Sequence, residues 1–183
     1  LSLTDEPARS ATMAALEAAK AAGCVMSYDP NYRSSLWPSA EVASGHMRSI
    51  VGYMDLIKIS CEECELMCGT TAPQAAAQVL LDQGAKVVCV TLDADGAYVA
   101  TKDGGATVPS FRVEAVDTTG AGDSFWGGFL CAFVDSRTSP ADVTLEDAKG
   151  FARFGNAVAS LCVRSRGAIP SMPTLAEVEK VLG

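Results

Sequence analysis

A chain of 183 residues, 49% of them hydrophobic, can bury a substantial core in one domain, and its seven scattered cysteines suit a reducing compartment better than a disulfide framework. The formal charge of −8, with no basic stripe, excludes the lysine and arginine clusters on which nucleic-acid binding relies. Apolar stretches are broken well short of a membrane span and residues 1–7 lack the form of a signal peptide, so no membrane partner and a cytoplasmic location are the expectations.

In chain order, Glu6 to Ala22 has an alanine-rich helix pattern, opened by Thr4 or Asp5 and stopped at Gly23. Cys24 to Tyr28 is a short apolar strand, and a second helix runs from Ser39 to Met54 after Pro38. Asp55 to Ser60 predicts a strand, Glu62 to Cys68 a short helix ending at Gly69, and Pro73 to Gln83 another ending at Gly84. Lys86 to Leu92 and Ala97 to Thr101 are strands split by Asp93-Ala94-Asp95-Gly96. Val113 to Val116 reads as a strand tail, Ser124 to Val134 as an apolar helix, and Phe151 to Cys162 as a further helix. This alternation predicts an α/β fold, a mainly parallel sheet covered on both faces, with ligands gathering at strand ends where Asp29, Ser60, Asp93 and Asp117 fall.

The most informative run is Asp117-Thr118-Thr119-Gly120-Ala121-Gly122-Asp123-Ser124-Phe125. Gly120, Ala121 and Gly122 fall at a helix start, where first-turn N–H groups lack intrahelical partners and the dipole favours an anion. Asp123 would repel a phosphate bound there unless it serves an incoming hydroxyl, so it reads as a base for phosphoryl transfer. The alternative is a Gly-rich turn capped by an aspartate. Cys61, Cys64 and Cys68 form a CxxCxxxC cluster, but no fourth ligand lies close and the lone His46 sits in a polar helix, so no metal or iron–sulfur site is expected there. No GxGxxG follows the first strand and no Walker A lysine is present, which weakens a Rossmann dehydrogenase and a P-loop kinase.

The Asp117–Phe125 run resembles the signature of the ribokinase-like, or phosphofructokinase B, family of sugar and nucleoside kinases. Ser27-Tyr28-Asp29-Pro30-Asn31-Tyr32-Arg33-Ser34-Ser35-Leu36-Trp37-Pro38 is similar to the DPNxRxxLW stretch of its fructokinase and 2-keto-3-deoxygluconate kinase branch. Ile57 to Glu63 resembles the family's NxxE segment, with Ser60 in place of the asparagine, and Arg166 to Pro173 resembles its C-terminal loop. The likeness covers essentially all of the chain and implies a three-layer α/β/α sandwich of ribokinase-like type. The family's N-terminal sugar-binding region, with its lid and Gly-Gly hinge, has no counterpart in the chain, which opens at Leu1 without a methionine; a single domain over residues 1–183, forming the C-terminal nucleotide-binding and catalytic part of a longer kinase, is the expectation.

The resemblance implies a function and roles. An ATP-dependent sugar kinase is expected, acting on fructose; 2-keto-3-deoxygluconate kinase and a nucleotide-binding module without activity are the alternatives. Asp123 would accept the proton of the sugar hydroxyl, while Gly120, Ala121 and Gly122 would stabilise charge on the transferred group. Glu63 would hold Mg2+ through water, or is only a first-turn helix glutamate. Asp117 and Thr119, with Ser165, Gly167 and Ser171, are implied in a loop for a monovalent cation, K+; Asp117 otherwise caps the turn. Asn31 and Arg33 would reach the sugar, Arg33 suiting a carboxylate geometrically. Nucleotide contacts are expected at Ser60, Thr91, Asp93, Gly96, Gly122 and Asn156, although the small residues Gly155, Ala157 and Ala159 beside Asn156 equally suit close helix packing. Trp37 and Trp126 read as packing residues. A homodimer is implied for the full-length protein.

Overall fold

The computed structural model describes residues 2–183. They form two compact units, one up to Val90 and one from Thr91 to Gly183.

The first unit runs α1 (Ala8–Ala21), β1 (Ser27–Tyr28), α2 (Ala40–Ser49), β2 (Leu56–Ser60), α3 (Cys64–Cys68), α4 (Pro73–Asp82) and β3 (Val87–Thr91), whose last residue opens the second unit. Its strands lie in the order β1-β2-β3. β1 and β2 are parallel, Ser27 opposite Leu56 and Tyr28 opposite Ile57. β3 starts at the same edge as β2, where the N–H groups of Lys86 and Val87 donate to the Asp55 carbonyl. Leu56, Ile57, Ile59, Val87, Val88 and Val90 have no solvent exposure, which is why these strands read as nearly unbroken apolar runs. Lys58 alone interrupts them.

In this unit the ends of α1, β1 and α2 differ from the sequence expectation. Thr4 and Asp5 do not cap α1; the Glu6 carboxylate instead accepts the Ser10 N–H and hydroxyl at its first turn. The strand expected from Cys24 shortens to Ser27–Tyr28, because the Cys24 N–H is spent on the Ala19 carbonyl as the chain leaves α1 and the Met26 N–H on the Asp55 carboxylate. The helix expected to reach Met54 stops at Ser49, and a 3-10 turn over Val51–Tyr53 follows. That stretch holds β-branched Val51 and Gly52, both poorer helix formers, and tight bonds from Tyr53 to Ile50 and from Met54 to Val51 take over.

The second unit contains β4 (Ala97–Thr101), β5 (Gly104–Val108), α5 (Ala121–Ser136), α6 (Leu145–Cys162) and α7 (Leu175–Leu182). β4 and β5 form an antiparallel hairpin with Ala97 opposite Val108 and Thr101 opposite Gly104. The strand tail expected at residues 113–116 is absent: Val113 and Val116 are exposed, and the N–H groups of Val116 and Asp117 donate to the Val163 carbonyl beyond α6 rather than to a neighbouring strand. Asp117 therefore lies in a loop. α6 begins six residues before the expected Phe151, at a capping box in which the Thr144 side chain accepts the Asp147 N–H and Asp147 accepts the Thr144 N–H. Among the described residues, no helix is long and apolar enough to cross a membrane.

Aromatic rings fill the contact between α5 and α6. Trp126 stacks on Phe129 with ring centroids 4.9 Å apart, and Phe129 and Phe133 meet the edge of Phe151. The backbones close up at Gly155, where an added Cβ would lie 2.6 Å from the Phe125 carbonyl oxygen. Gly155→Val is expected to destabilise the fold by about 1–3 kcal/mol through overpacking, only partly offset by better helix propensity. Urea unfolding of the two proteins measures this; an unchanged midpoint would show that the helices can separate freely.

Candidate active site

In the second unit the informative run forms a tight entry to α5. Gly120 takes φ +79° as the residue before the helix, a conformation that a Cβ would strain, and that Cβ would also lie 2.5 Å from the Cβ of Ala168. The Ala121 N–H donates to the Thr118 carbonyl and closes the turn, so it is not one of the open donors. The N–H groups of Gly120, Gly122 and Asp123 have no hydrogen-bond acceptor among the described residues. Beside them the Asp123 side chain is exposed and has no hydrogen bond or ion pair among the described residues. A free carboxylate next to open N–H groups at the positive end of a 16-residue helix can receive a proton while the donors face an anion.

What holds this turn is Asp117. Its Oδ1 accepts the Thr119 N–H at 2.9 Å and its Oδ2 accepts the Gly167 N–H at 2.9 Å, fifty residues along the chain. The Gly167 bond foremost, then those of Thr119, lower the carboxyl from its ordinary 3.8 to about 2. Gly167 itself has φ +86°, and the Ser171 hydroxyl donates to the Arg166 carbonyl, so the 165–171 loop is held to the helix entry on one side and folded on itself on the other. The structure thus joins Asp117, Thr119 and Gly167 directly, with Ser171 in the same loop; Ser165 is exposed.

Two residues expected at the nucleotide converge elsewhere in this unit. The Asn156 amide donates to the carbonyls of Val108 and Pro109 at 3.1 and 3.2 Å. A Cβ on Gly96 would come within 3.0 Å of the backbone at those same residues and at Ser110. Both therefore have a packing reason at the end of the hairpin. Asp93 has φ +51° in the turn after β3, which Thr91 ends.

The first unit holds a second polar cluster at the ends of β1 and β2. Asn31 bends with φ +49°, its N–H donating to Asp29 Oδ1 at 3.1 Å. The Tyr32 N–H donates to Glu63 Oε1 at 2.7 Å, and the Ser60 N–H to Glu63 Oε2 at 2.8 Å. Ser60 returns the favour in a capping box, its hydroxyl accepting the Glu63 N–H at 3.3 Å. Serine caps a helix as well as asparagine does, so the departure from NxxE keeps the cap. Glu63 is only 6% exposed. Burial, and then the charges of Glu63 and Asp29, push the Tyr28 phenol above its usual value. Arg33 is exposed and donates through Nη1 to the Tyr32 carbonyl.

Sequence reasoning passed over Lys58, whose Nζ lies 3.0 Å from Asp29 Oδ2. The signal was available: one lysine inside an apolar strand run needs a partner. In the cysteine cluster, burial pushes the Cys64 thiol up to about 12 and Cys68 to about 11, which disfavours thiolates there. Trp37 is buried and stacks on His46.

The family model for pfkB family carbohydrate kinases matches residues 2–175. The chain is 43% identical to "Probable fructokinase-2" of Arabidopsis thaliana over 95% of its own length and 53% of that protein's. A fructokinase of Vibrio cholerae, solved as a double mutant with fructose, ADP and potassium ion, superposes with a TM-score of 0.89 at 32% identity, covering 100% of this chain and 58% of that one. A fructokinase of Xylella fastidiosa with bound ATP does so with a TM-score of 0.86 at 33% identity, covering 99% and 58%. The chain thus spans about half the length of the curated relatives it matches.

The two bonds of Asp117 carry a pH dependence. Because its folded carboxyl is depressed from 3.8 to about 2, these bonds contribute stability above the ordinary value that is lost as pH falls toward 2. An acid titration followed by circular dichroism should show that loss, and Asp117→Asn, which does not ionise, should lack it. Identical acid profiles would contradict the assignment.

Proposed function

Because the chain belongs to the pfkB family of carbohydrate kinases, we propose that it carries the nucleotide-binding and catalytic portion of an ATP-dependent sugar kinase with fructose as acceptor. The observation that carries this reading is the exposed, unpartnered Asp123 carboxylate beside the open N–H groups of Gly120, Gly122 and Asp123 itself. The sugar hydroxyl oxygen bonds to the γ-phosphorus of ATP as the bond to the β-phosphate oxygen breaks, the hydroxyl proton passes to an Asp123 oxygen, and ADP leaves. The open N–H groups stabilise the charge on the transferred group; losing one preorganised donor of this kind costs about 3 kcal/mol.

Mg2+ fits Glu63. Each of its oxygens accepts one backbone N–H and keeps a lone pair for a metal-bound water, which suits an ion that retains its water shell. Bound there, the metal would neutralise phosphate charge. K+ fits the loop of Asp117, Thr119, Ser165, Gly167 and Ser171, where Asp117 supplies a charge that persists at every working pH. The Vibrio cholerae relative holds fructose, ADP and potassium, which supports the same set here. Ser60, Thr91, Asp93, Gly96, Gly122 and Asn156 are the proposed nucleotide contacts, Gly96 and Asn156 serving packing at the end of the hairpin as well. A cytoplasmic location, favoured by seven free cysteines, and a homodimer of the complete protein belong to the same proposal.

The alternative acceptor is 2-keto-3-deoxygluconate, with which Arg33 is equally compatible. Arg33 is exposed and, among the described residues, engages only Nη1, leaving guanidinium donors for a carboxylate.

The reading is tested by Mg-ATP-dependent ADP release with fructose, 2-keto-3-deoxygluconate and ribose in parallel, on the chain and on the complete product of its gene. Fructose should give the highest kcat/KM, and Asp123→Asn should lower kcat by about 10²- to 10⁴-fold with the melting temperature unchanged. Near-normal turnover in that variant would overturn the base assignment. Replacing potassium by a bulky organic cation should slow the reaction; equal rates would remove the cation loop.

A further inference from the structure

The Asn31–Arg33 loop is the proposed substrate loop, and the inference below rests on that reading. We propose that Lys58 is a positioning residue for this loop, acting through Asp29. Lys58 stands between Ile57 and Ile59 in β2 and is only 6% exposed. A buried ammonium is costly without a partner, and Asp29 Oδ2 at 3.0 Å is that partner. The other oxygen of the same carboxylate accepts the Asn31 N–H, which sets the left-handed bend at Asn31. Lys58 therefore fixes the rotamer of Asp29, and Asp29 fixes the turn that aims Asn31 and Arg33.

Glu63 holds the next residue of the loop, through the Tyr32 N–H. Two consecutive backbone N–H groups are thus tied to two carboxylates, one of them oriented by a buried cation. Stability alone does not call for this arrangement. A strand buried on both faces would accept an apolar residue at position 58, and replacing a buried ion pair by apolar groups is often neutral or stabilising. What an apolar residue would not supply is an oriented Asp29.

The test compares wild type, Lys58→Met and Lys58→Met/Asp29→Asn in the complete gene product. Hydrogen exchange of the peptide over residues 29–36, urea unfolding, and kcat and KM for the sugar are measured together. Lys58→Met should lose stability, because Asp29 is left without its cation. The double variant should recover the wild-type unfolding midpoint, since no charge is then unpaired. Its residues 29–33 should nevertheless exchange about 10-fold faster, while α5 and α6 keep their protection. Its KM for the sugar should rise about 10-fold with kcat changed by less than about threefold. Wild-type exchange or wild-type KM in the double variant overturns the proposal, as does a rise in exchange spread evenly over the chain. A wild-type protein that phosphorylates no sugar refutes the kinase reading instead, and exchange at residues 29–33 in the double variant still decides the role of Lys58.

Discussion

Irregular backbone must find hydrogen-bond partners without a helix or a ladder to supply them, and in these loops carboxylates do that work. The bond from the Gly167 N–H to Asp117 is the clearest instance, because it joins segments fifty residues apart and ends at the turn that starts α5. It adds a long-range tie to the local bonds of Thr119 and Ala121 that close the turn beside the open N–H groups. In the first unit Glu63 does the same for Tyr32 and Ser60, and Asp29 for Asn31. Each of these carboxylates accepts backbone N–H groups, whereas Asp123 has no hydrogen bond or ion pair among the described residues.

This division explains why neighbouring aspartates in one short run behave differently. Asp117 accepts two backbone N–H groups and is held strongly acidic, so it is a poor proton acceptor at neutral pH and a good source of fixed charge. Asp123 sits six residues later in the first turn of α5, exposed, where its own N–H and that of Gly122 are open. The glycine before the helix is required twice over, by its positive φ and by the approach of Ala168. A side chain there would push apart the two loops that Asp117 ties together.

Much of this was legible in the sequence. The helix stop at Gly69, the proline opening α4 and the apolar runs of β2 and β3 each carry a local physical signal and lie where it put them; the glycines of residues 120–122 do open a helix, but it begins at Ala121 rather than Ser124, and Asp117 ends no strand. What was not legible depends on partners distant in sequence. Residues 113–116 have strand-like composition, but their N–H groups go to the end of α6. β5 opens with two glycines and exists because β4 offers it a ladder. α7, at Leu175–Leu182, is the exception, since its capping box of Thr174 and Glu177 is a local signal. Lys58 finds its partner Asp29 on a different strand end, twenty-nine residues away, and Asn156, polar in a helix of small residues, holds the end of β5.

Asp123 and the open N–H groups are proposed to serve transfer of a phosphoryl group from ATP to a sugar hydroxyl. The most direct measurement follows label from ATP marked at its γ-phosphorus, with fructose present, in the complete gene product. Label should appear in a sugar phosphate, one for each ADP formed. Label appearing only in inorganic phosphate, or ATP bound with no transfer at all, would contradict it.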